Sequence, residues 1–437
     1  MSLKLLFVQL NEINFDIVEK YLLGSKKGRF KNFRILKNHF NFFNTFAEDK
    51  YENLEPWIQW TSVNLGKNFD QHKIFRLGDI VNFPEEKQIF EKIENRGFKV
   101  GAISPMNASN RLKNPCYFIP DPWTDTCSDG SAFSERITSM LRQTVNDNAS
   151  GKLSIKSVYT IIEIILRTLN FKNTLFLMKL IFSTFFKPWK KSLVLDYLTH
   201  LLHIYLIKKK KPNFSSIFLN AGAHIQHHYL HNSNHLKNLT KNPKWYLDPS
   251  SDPIEDMLEV YDQIIGDYIK LSNNKSQLLI STGLRQVPYE VKKFYYRLKN
   301  HSSFLINIGV KFSKVLPRMT RDFEVIFDNE DNKKEARKIL EQIKTKKNHL
   351  YIFKEIEERK NSLFVTLTYP NEVKKNDKLI INDNFEINFF DELVFVAIKN
   401  GKHDTKGYVF HSLNSNIYFP KETTHISKLH DIIMSSY

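Results

Sequence analysis

Cysteine is nearly missing from this chain, which has Cys116 and Cys127 in 437 residues. A disulfide scaffold is therefore excluded, and no pair of cysteines has the spacing of a zinc ribbon or a redox motif. Acidic residues are also in short supply: 64 Lys and Arg face 47 Asp and Glu, a formal net charge of +17. Long apolar runs are missing too. The longest, TLFLMKLIFSTFF at 174–186, contains Lys179 and falls short of the roughly 20 residues that cross a bilayer. At the N-terminus the apolar run of MSLKLLFVQLNEINFD is broken by polar residues too early for a signal-peptide core. With few cysteines, this leads to the expectation of a cytoplasmic protein.

The composition, 41% apolar and 25% charged, is that of a globular chain. Its basic excess favours an anionic partner such as a nucleotide, a phosphorylated glycan or an acidic lipid. Lysine spread over a solvated surface is the simpler account of the same excess. The basic residues are not interleaved with aromatics as in a nucleic-acid recognition module, so no nucleic-acid partner is expected.

Residues 3–10 form a nearly continuous apolar run followed by polar residues, the pattern of a buried parallel strand that opens onto a loop. Residues 88–96 read as a helix, Gly97 as its stop, and 99–103 as a β-branched strand. The pattern returns with strands at 215–219 and 277–280 and a helix at 253–271 between them. Alternation of this kind predicts an α/β fold, a mostly parallel sheet covered by helices on both faces, with ligand groups at the strand ends.

Two stretches interrupt it. Residues 131–212 read as a helical insert, within which 155–207 gives two or three amphipathic helices. They either pack on the core or a second subunit, as in a homo-oligomer, or lie peripherally on an anionic membrane aided by Lys187, Lys190, Lys191 and 208–211. Residues 291–390 read as a small α+β cap, with a helix at 333–345 and short strands at 350–353, 363–368 and 378–381. The core is then 1–130, 213–290 and 391–437.

Six segments in order, FVQLNEINFD, EPWIQWTSVNLGKNFDQHKIF, IFEKIENRGFKVGAISPMNAS with YFIPDPWTD, IFLNAGAHIQHHY, LLISTGLRQVP and KHDTKGYVFHS, resemble the type I phosphodiesterase and nucleotide pyrophosphatase branch of the alkaline phosphatase superfamily. The resemblance covers roughly 3–125, 214–290 and 390–412. It implies an alkaline-phosphatase-like fold and transfer or hydrolysis at a phosphate ester, phosphodiester or nucleotide-activated sugar. It also places Thr61 on the nucleophile and His227 and His403 on metal-ligand positions. Elsewhere the family's ligands are replaced: Asn11, Ala223, Thr282 and Gly283 supply no negative charge, and two neighbouring dications need anionic ligands. The usual two-metal centre is therefore not expected, and a single divalent transition metal or no metal at all, with Arg285 making a metal-free anion site, remain open.

Several side chains are candidates for the remaining chemistry. Glu12 can act as a metal ligand or as a general base, and Asn11 stands beside it at the strand end. Thr61 is a nucleophile if Glu12 or His403 takes its proton, or else an N-cap at a loop-to-helix junction. Arg285 can hold a phosphate through two parallel hydrogen bonds. His72 is placed to orient the Thr61 loop. His224, His228, His231 and His235 fall at the spacing of one helix face, and His224 and His227 lie nearest the strand end. Besides an enzyme of phosphate esters, a glycosyltransferase using a nucleotide sugar and a non-catalytic binder of a phosphorylated ligand or a protein remain open.

Overall fold

Leu5–Leu10 (β1) is buried along its whole length. Leu6, Val8 and Leu10 enter one hydrophobic core, while Leu5 and Phe7 enter another on the opposite face. A strand apolar on both sides can only sit inside a sheet covered by two layers of helix. The computed structural model of the chain has this arrangement. It describes residues 3–437 except 27, 147–153, 169, 238–240, 273–275, 319–320, 382–384, 413–419 and 421.

The described residues form two compact units, Met1–Pro288 with Gly401–Tyr437, and Tyr289–Asn400. The first is built on an eight-stranded sheet. Its strands after β1 are Asn41–Phe46 (β2), Val100–Ile103 (β3), Tyr117–Ile119 (β4), Phe214–Leu219 (β5), Gln277–Ser281 (β6), Lys406–His411 (β7) and Thr424–His425 (β8). The order across the sheet is β8-β2-β7-β6-β1-β5-β3-β4. Pairings within β6-β1-β5-β3-β4 are all parallel, and β7 runs antiparallel to both β2 and β6. The carboxyl ends of β6, β1 and β5 thus share one rim with the start of β7. Gly97 (φ 82) ends the helix before β3 in the left-handed conformation that glycine adopts without strain.

Seven helices carry the argument below: Phe15–Gly24 (α1), Pro56–Leu65 (α2), Ile155–Thr168 (α3), Phe171–Ser183 (α4), Lys190–Lys210 (α5), Ala221–Tyr229 (α6) and Pro253–Ser272 (α7). On one sheet face, α1, α5 and α7 bury Ile17, Leu201 and Ile264 in the core of Leu6 and Val8. On the other, α2 and the helices Ile89–Asn95 and Lys428–Met434 bury Trp60, Phe90 and Leu429 with Phe7. The stretch 155–207 contains three helices, and the third, α5, is not a surface helix. Its Leu193, Tyr197, Leu198, Leu202 and Leu206 are all buried, because it lies between the sheet on one side and α3 and α4 on the other.

The second unit has its own core, with Phe304, Phe323, Val325, Leu340 and Leu363 at its centre. A four-stranded antiparallel sheet (Glu355–Glu358, Ser362–Thr366, Asp322–Ile326, Lys314–Pro317) packs with the helix Glu330–Gln342. Residues 350–353, expected as a strand, make one isolated bridge from Tyr351 to Lys344 instead. That segment buries Ile352 and Phe353 within a loop rather than along a ladder.

Candidate active site

β1 ends at Leu10, and two residues later the chain turns through Glu12, whose φ of 61° is left-handed and uncommon for a residue with a side chain. The turn is held on three sides. The Glu12 N–H donates to Thr282 O at 2.9 Å, and its carbonyl accepts from Gln226 Nε2 at 2.9 Å and from the Gln286 N–H at 3.3 Å. A strained backbone pinned by neighbours at a strand end is where fixed functional side chains are found.

The carboxylate this turn directs inward is 2% exposed. Asn11 Nδ2 donates to Glu12 Oε1 at 2.9 Å, and Gln286 Nε2 donates to Oε2 at 2.6 Å. Asn11 is in turn oriented by Trp60 Nε1, which donates to its Oδ1 at 2.8 Å, while its amide also donates to Asn220 Oδ1 at 2.8 Å. Asn11 after β1 and Gln286 after β6 therefore meet one carboxylate, and Asn220 after β5 braces Asn11.

Two imidazoles complete the cluster. His227 Nε2 and His403 Nε2 each lie 3.1 Å from Glu12 Oε2, and they lie 3.3 Å from each other. His227 comes from α6, which starts directly after β5. The start of α6 is fixed by Asp196 of α5, which accepts from the Ala221 N–H at 2.8 Å and from Tyr261 OH at 2.6 Å. Burial raises the Asp196 carboxyl to about 6 against the lowering effect of these bonds. His403 arrives from the other direction: because β7 is antiparallel, the residues just before it reach the rim where the parallel strands end.

The outer nitrogens of the rings are also engaged. His227 Nδ1 is 3.4 Å from Gly401 O, and His403 Nδ1 is 3.6 Å from Glu55 Oε2. A Cβ at Gly401 would stand 2.0 Å from Gln286 Oε1 and 3.0 Å from Gln226 O, so a larger residue there would displace the Gln286 amide. Burial pushes the Glu12 carboxyl up, but the charges of His403 and His227 and their hydrogen bonds outweigh it and hold the group well below the usual carboxylate range. With the Nδ1 atoms on the outer side, near Gly401 O and Glu55 Oε2, both Nε2 atoms and an anionic oxygen face one point. Such a triangle is stable only around protons or a cation.

The other expected site residues lie differently. Thr61 is not at a loop-to-helix junction. It is the sixth residue of α2, fully buried, with its hydroxyl donating to Trp57 O at 2.8 Å and accepting from Asn107 Nδ2 at 3.0 Å. Pro56 starts that helix and places Glu55 at its N-cap, so Glu55 rather than Thr61 meets His403. Arg285 pairs with Asp16 and with Asp404 (2.7 Å) and donates to Tyr408 OH at 3.0 Å. Two carboxylates already neutralise that guanidinium, so the expected free anion clamp is replaced by a structural clasp.

The four-histidine face is also corrected. α6 ends at Tyr229, so His231 falls in a 3₁₀ turn and His235 lies beyond it, edge-on to Tyr21. His224 packs against His228 at 4.3 Å, and burial with the charge of His227 lowers it to about 4. Where the resemblance expects further ligands, Ala223 is buried and the Thr282 hydroxyl accepts from the Tyr408 N–H. A Cβ on Gly283 would meet the Trp60 ring at 3.0 Å.

His72 joins two helices, with Nε2 3.1 Å from Ser62 Oγ and Nδ1 accepting from the Ile74 N–H at 3.0 Å. Burial drops its pKa to about 4. In the unfolded chain it titrates near 6.5, so its contribution is complete above that pH and declines as the pH falls toward 4. Between pH 7.5 and 5 this amounts to roughly 2 kcal/mol. Urea denaturation at the two pH values should show a stability loss smaller by about that amount in His72→Gln than in the parent protein.

No family model matches the chain, and no curated protein sequence is similar to it. A mostly parallel α/β sheet with one carboxylate and two imidazoles at its carboxyl rim is thus the class to which the observations lead. Among solved structures, the chain is similar to phosphonoacetate hydrolase from Sinorhizobium meliloti in complex with phosphonoformate, at 8% identity and TM-score 0.42 over 100% of this chain and 96% of that one. It is similar to human ectonucleotide pyrophosphatase/phosphodiesterase 5 at 12% identity and TM-score 0.42, over 99% and 94% of the two chains. It is also similar to alkaline phosphatase from the Antarctic bacterium TAB5 at 10% identity and TM-score 0.39, over 100% and 98%.

Proposed function

We propose that Glu12, His227 and His403 hold one divalent transition-metal ion and that the chain acts at this rim on a phosphate ester or phosphodiester. The observation that carries the reading is the triangle of donor atoms, with edges of 3.1, 3.1 and 3.3 Å. Ligands about 2.1 Å from a metal are about 3.4 Å apart in tetrahedral and about 3.0 Å apart in octahedral geometry, and the triangle lies between these values. Two imidazoles and one carboxylate suit zinc, iron, cobalt or manganese better than magnesium or calcium. The oxygens of Gly401 and Glu55 stand on the outer side of the two rings, where ligating histidines commonly find the partners that orient them.

The ion would supply Lewis acidity toward a phosphoryl oxygen. The protein's part is orientation and charge. Asn11 and Gln286 hold the Glu12 carboxylate in one rotamer. One carboxylate against a dication leaves the centre net positive, which favours a phosphate oxyanion over a neutral ligand. Glu55, on the far side of His403 and partly exposed, is placed to hold that imidazole or to accept a proton through solvent.

A second reading is favoured by one observation: the Thr61 hydroxyl is held inside α2. On that reading the rim binds a phosphorylated ligand through the metal without cleaving it. Metal content after dialysis, Co(II) absorption spectra and hydrolysis of p-nitrophenyl phosphate and bis-p-nitrophenyl phosphate separate the two. One bound ion per chain with EDTA-sensitive release of nitrophenol is the expected result. An ion bound without turnover of these esters or of nucleotide sugars supports the binder, and failure to bind any of the four cations removes both.

A further inference from the structure

The helices α3 and α4 each carry two apolar stripes, and only one stripe of each is used by the fold. On α3 the inner stripe includes Ile161, Ile164 and Ile165 in the main core. Its other side presents Ile155, Val158, Tyr159, Ile162 and Leu166 to solvent, at positions i, i+3, i+4, i+7 and i+11. On α4 the inner residues are Phe176, Leu177, Leu180 and Ile181. Solvent meets Phe171, Leu175, Met178 and Phe182, again one helical stripe, continued by Phe185 and Phe186. Phe171, Phe185 and Phe186 are 87%, 78% and 74% exposed. Both helices rest their inner stripes on α5, so their outer stripes face away from a common support.

The charge around these stripes has one sign. Residues 154–195 contain Lys156, Arg167, Lys172, Lys179, Lys187, Lys190 and Lys191 but a single acid, Glu163. Glu163 is already bound by Arg136 and Arg167. Lys187 and Lys190 pair with Asp256, whereas Lys156, Lys172, Lys179 and Lys191 make no salt bridge among the described residues.

We propose that this face lies on an anionic lipid surface, with the outer aromatic and aliphatic side chains at the level of the headgroups and the lysines against lipid phosphates. Apolar stripes with large aromatics, edged by cations and without exposed acids, are the features that bind in the plane of an interface. No described helix is long and apolar enough to cross a membrane, so contact of this kind is in-plane. A second copy of the chain is a poorer occupant, because a two-fold contact would bring the same lysines face to face. The proposal is independent of the metal site.

Co-sedimentation of the full chain with vesicles tests it, using phosphatidylcholine alone and phosphatidylcholine with about one third phosphatidylglycerol. Binding about tenfold or more tighter to the anionic vesicles, and weakened by salt, is expected. The triple variant Phe171→Ser, Phe185→Ser, Phe186→Ser should lose binding to both vesicle types while keeping the parent's thermal unfolding curve and metal content. Lys172→Gln with Lys179→Gln and Lys191→Gln should remove the preference for the anionic vesicles. No binding of the parent chain to either vesicle overturns the proposal, as does equal, salt-insensitive binding to the two. A parent chain that sediments as a dimer, and a triple variant that sediments as a monomer, would replace the lipid by a second copy.

Discussion

Glu12→Gln is expected to lower the affinity for a transition-metal ion by roughly 100-fold or more, since loss of outer-contact partners alone costs 10- to 100-fold and this change removes a ligand. The substitution keeps the shape of the side chain. It replaces an anion that is 2% exposed, and held by Asn11 and Gln286, with a neutral amide. The two imidazole nitrogens, 3.3 Å apart, then lack the negative charge that offsets a dication or an added proton. Calorimetric titration of the parent and variant with zinc and cobalt measures the loss, and cobalt absorption reports whether the remaining ligands still share one ion.

A comparison within the same site sharpens the outcome. Glu55→Gln should lower affinity about tenfold, because Glu55 lies near the outer nitrogen of His403 and supplies none of the three donor atoms. If Glu12→Gln and Glu55→Gln weaken binding equally, the ion is not in the triangle. If the parent protein binds one ion and Glu12→Gln binds it unchanged, the assignment of the donor atoms is wrong.

How much of this site could be read from the sequence follows from how each residue reaches it. Glu12 and Asn11 follow an apolar strand directly, so their place at the rim was legible from local pattern. His227 was legible for a similar reason, standing in the helix that starts where β5 ends. His403 was found through its motif alone, because its reach to the rim depends on β7 being antiparallel, and a short strand's direction is set by its partners. Gln286, Gln226 and Asn220 went unread. Neutral amides carry no titratable signal, and their role is to hold a turn that exists only in three dimensions. Glu55 had a local signal, the proline that follows it and marks a helix start. Thr61 was misplaced because its neighbours in WTS fit a loop as well as a buried turn of α2, and only packing of Trp57 and Asn107 decides between them. The mostly parallel sheet was legible because strand and helix periods alternate. The clasp of Arg285 was not, since Asp404 lies 119 residues away in the chain.

Gly407→Ala should destabilise the protein by about 3 kcal/mol or more, at the upper end for a single added methyl, because the atoms it meets belong to backbone. Gly407 sits near the start of β7 opposite Thr45 of β2. A Cβ there would stand 2.4 Å from Gly283 O and 2.4 Å from Thr45 Oγ1. The hydroxyl can rotate away, but the carbonyl cannot. Gly283 is left-handed (φ 76), and its loop is sewn to β7 by Thr282 N–H to Tyr408 O and Tyr408 N–H to Thr282 Oγ1, both 3.1 Å. Moving that carbonyl shifts the chain three residues before Gln286, and moving β7 shifts it four residues after His403. Loss of stability should therefore come with weaker metal binding in whatever fraction remains folded. Gly28→Ala is the control, since a Cβ there meets nothing within 4 Å and its backbone is not left-handed, and it should stay within about 0.5 kcal/mol of the parent. Urea denaturation of the three proteins, each with its zinc titration, reads both effects. An unchanged midpoint for Gly407→Ala would mean that β7 and the loop after β6 are not held as closely as this contact requires.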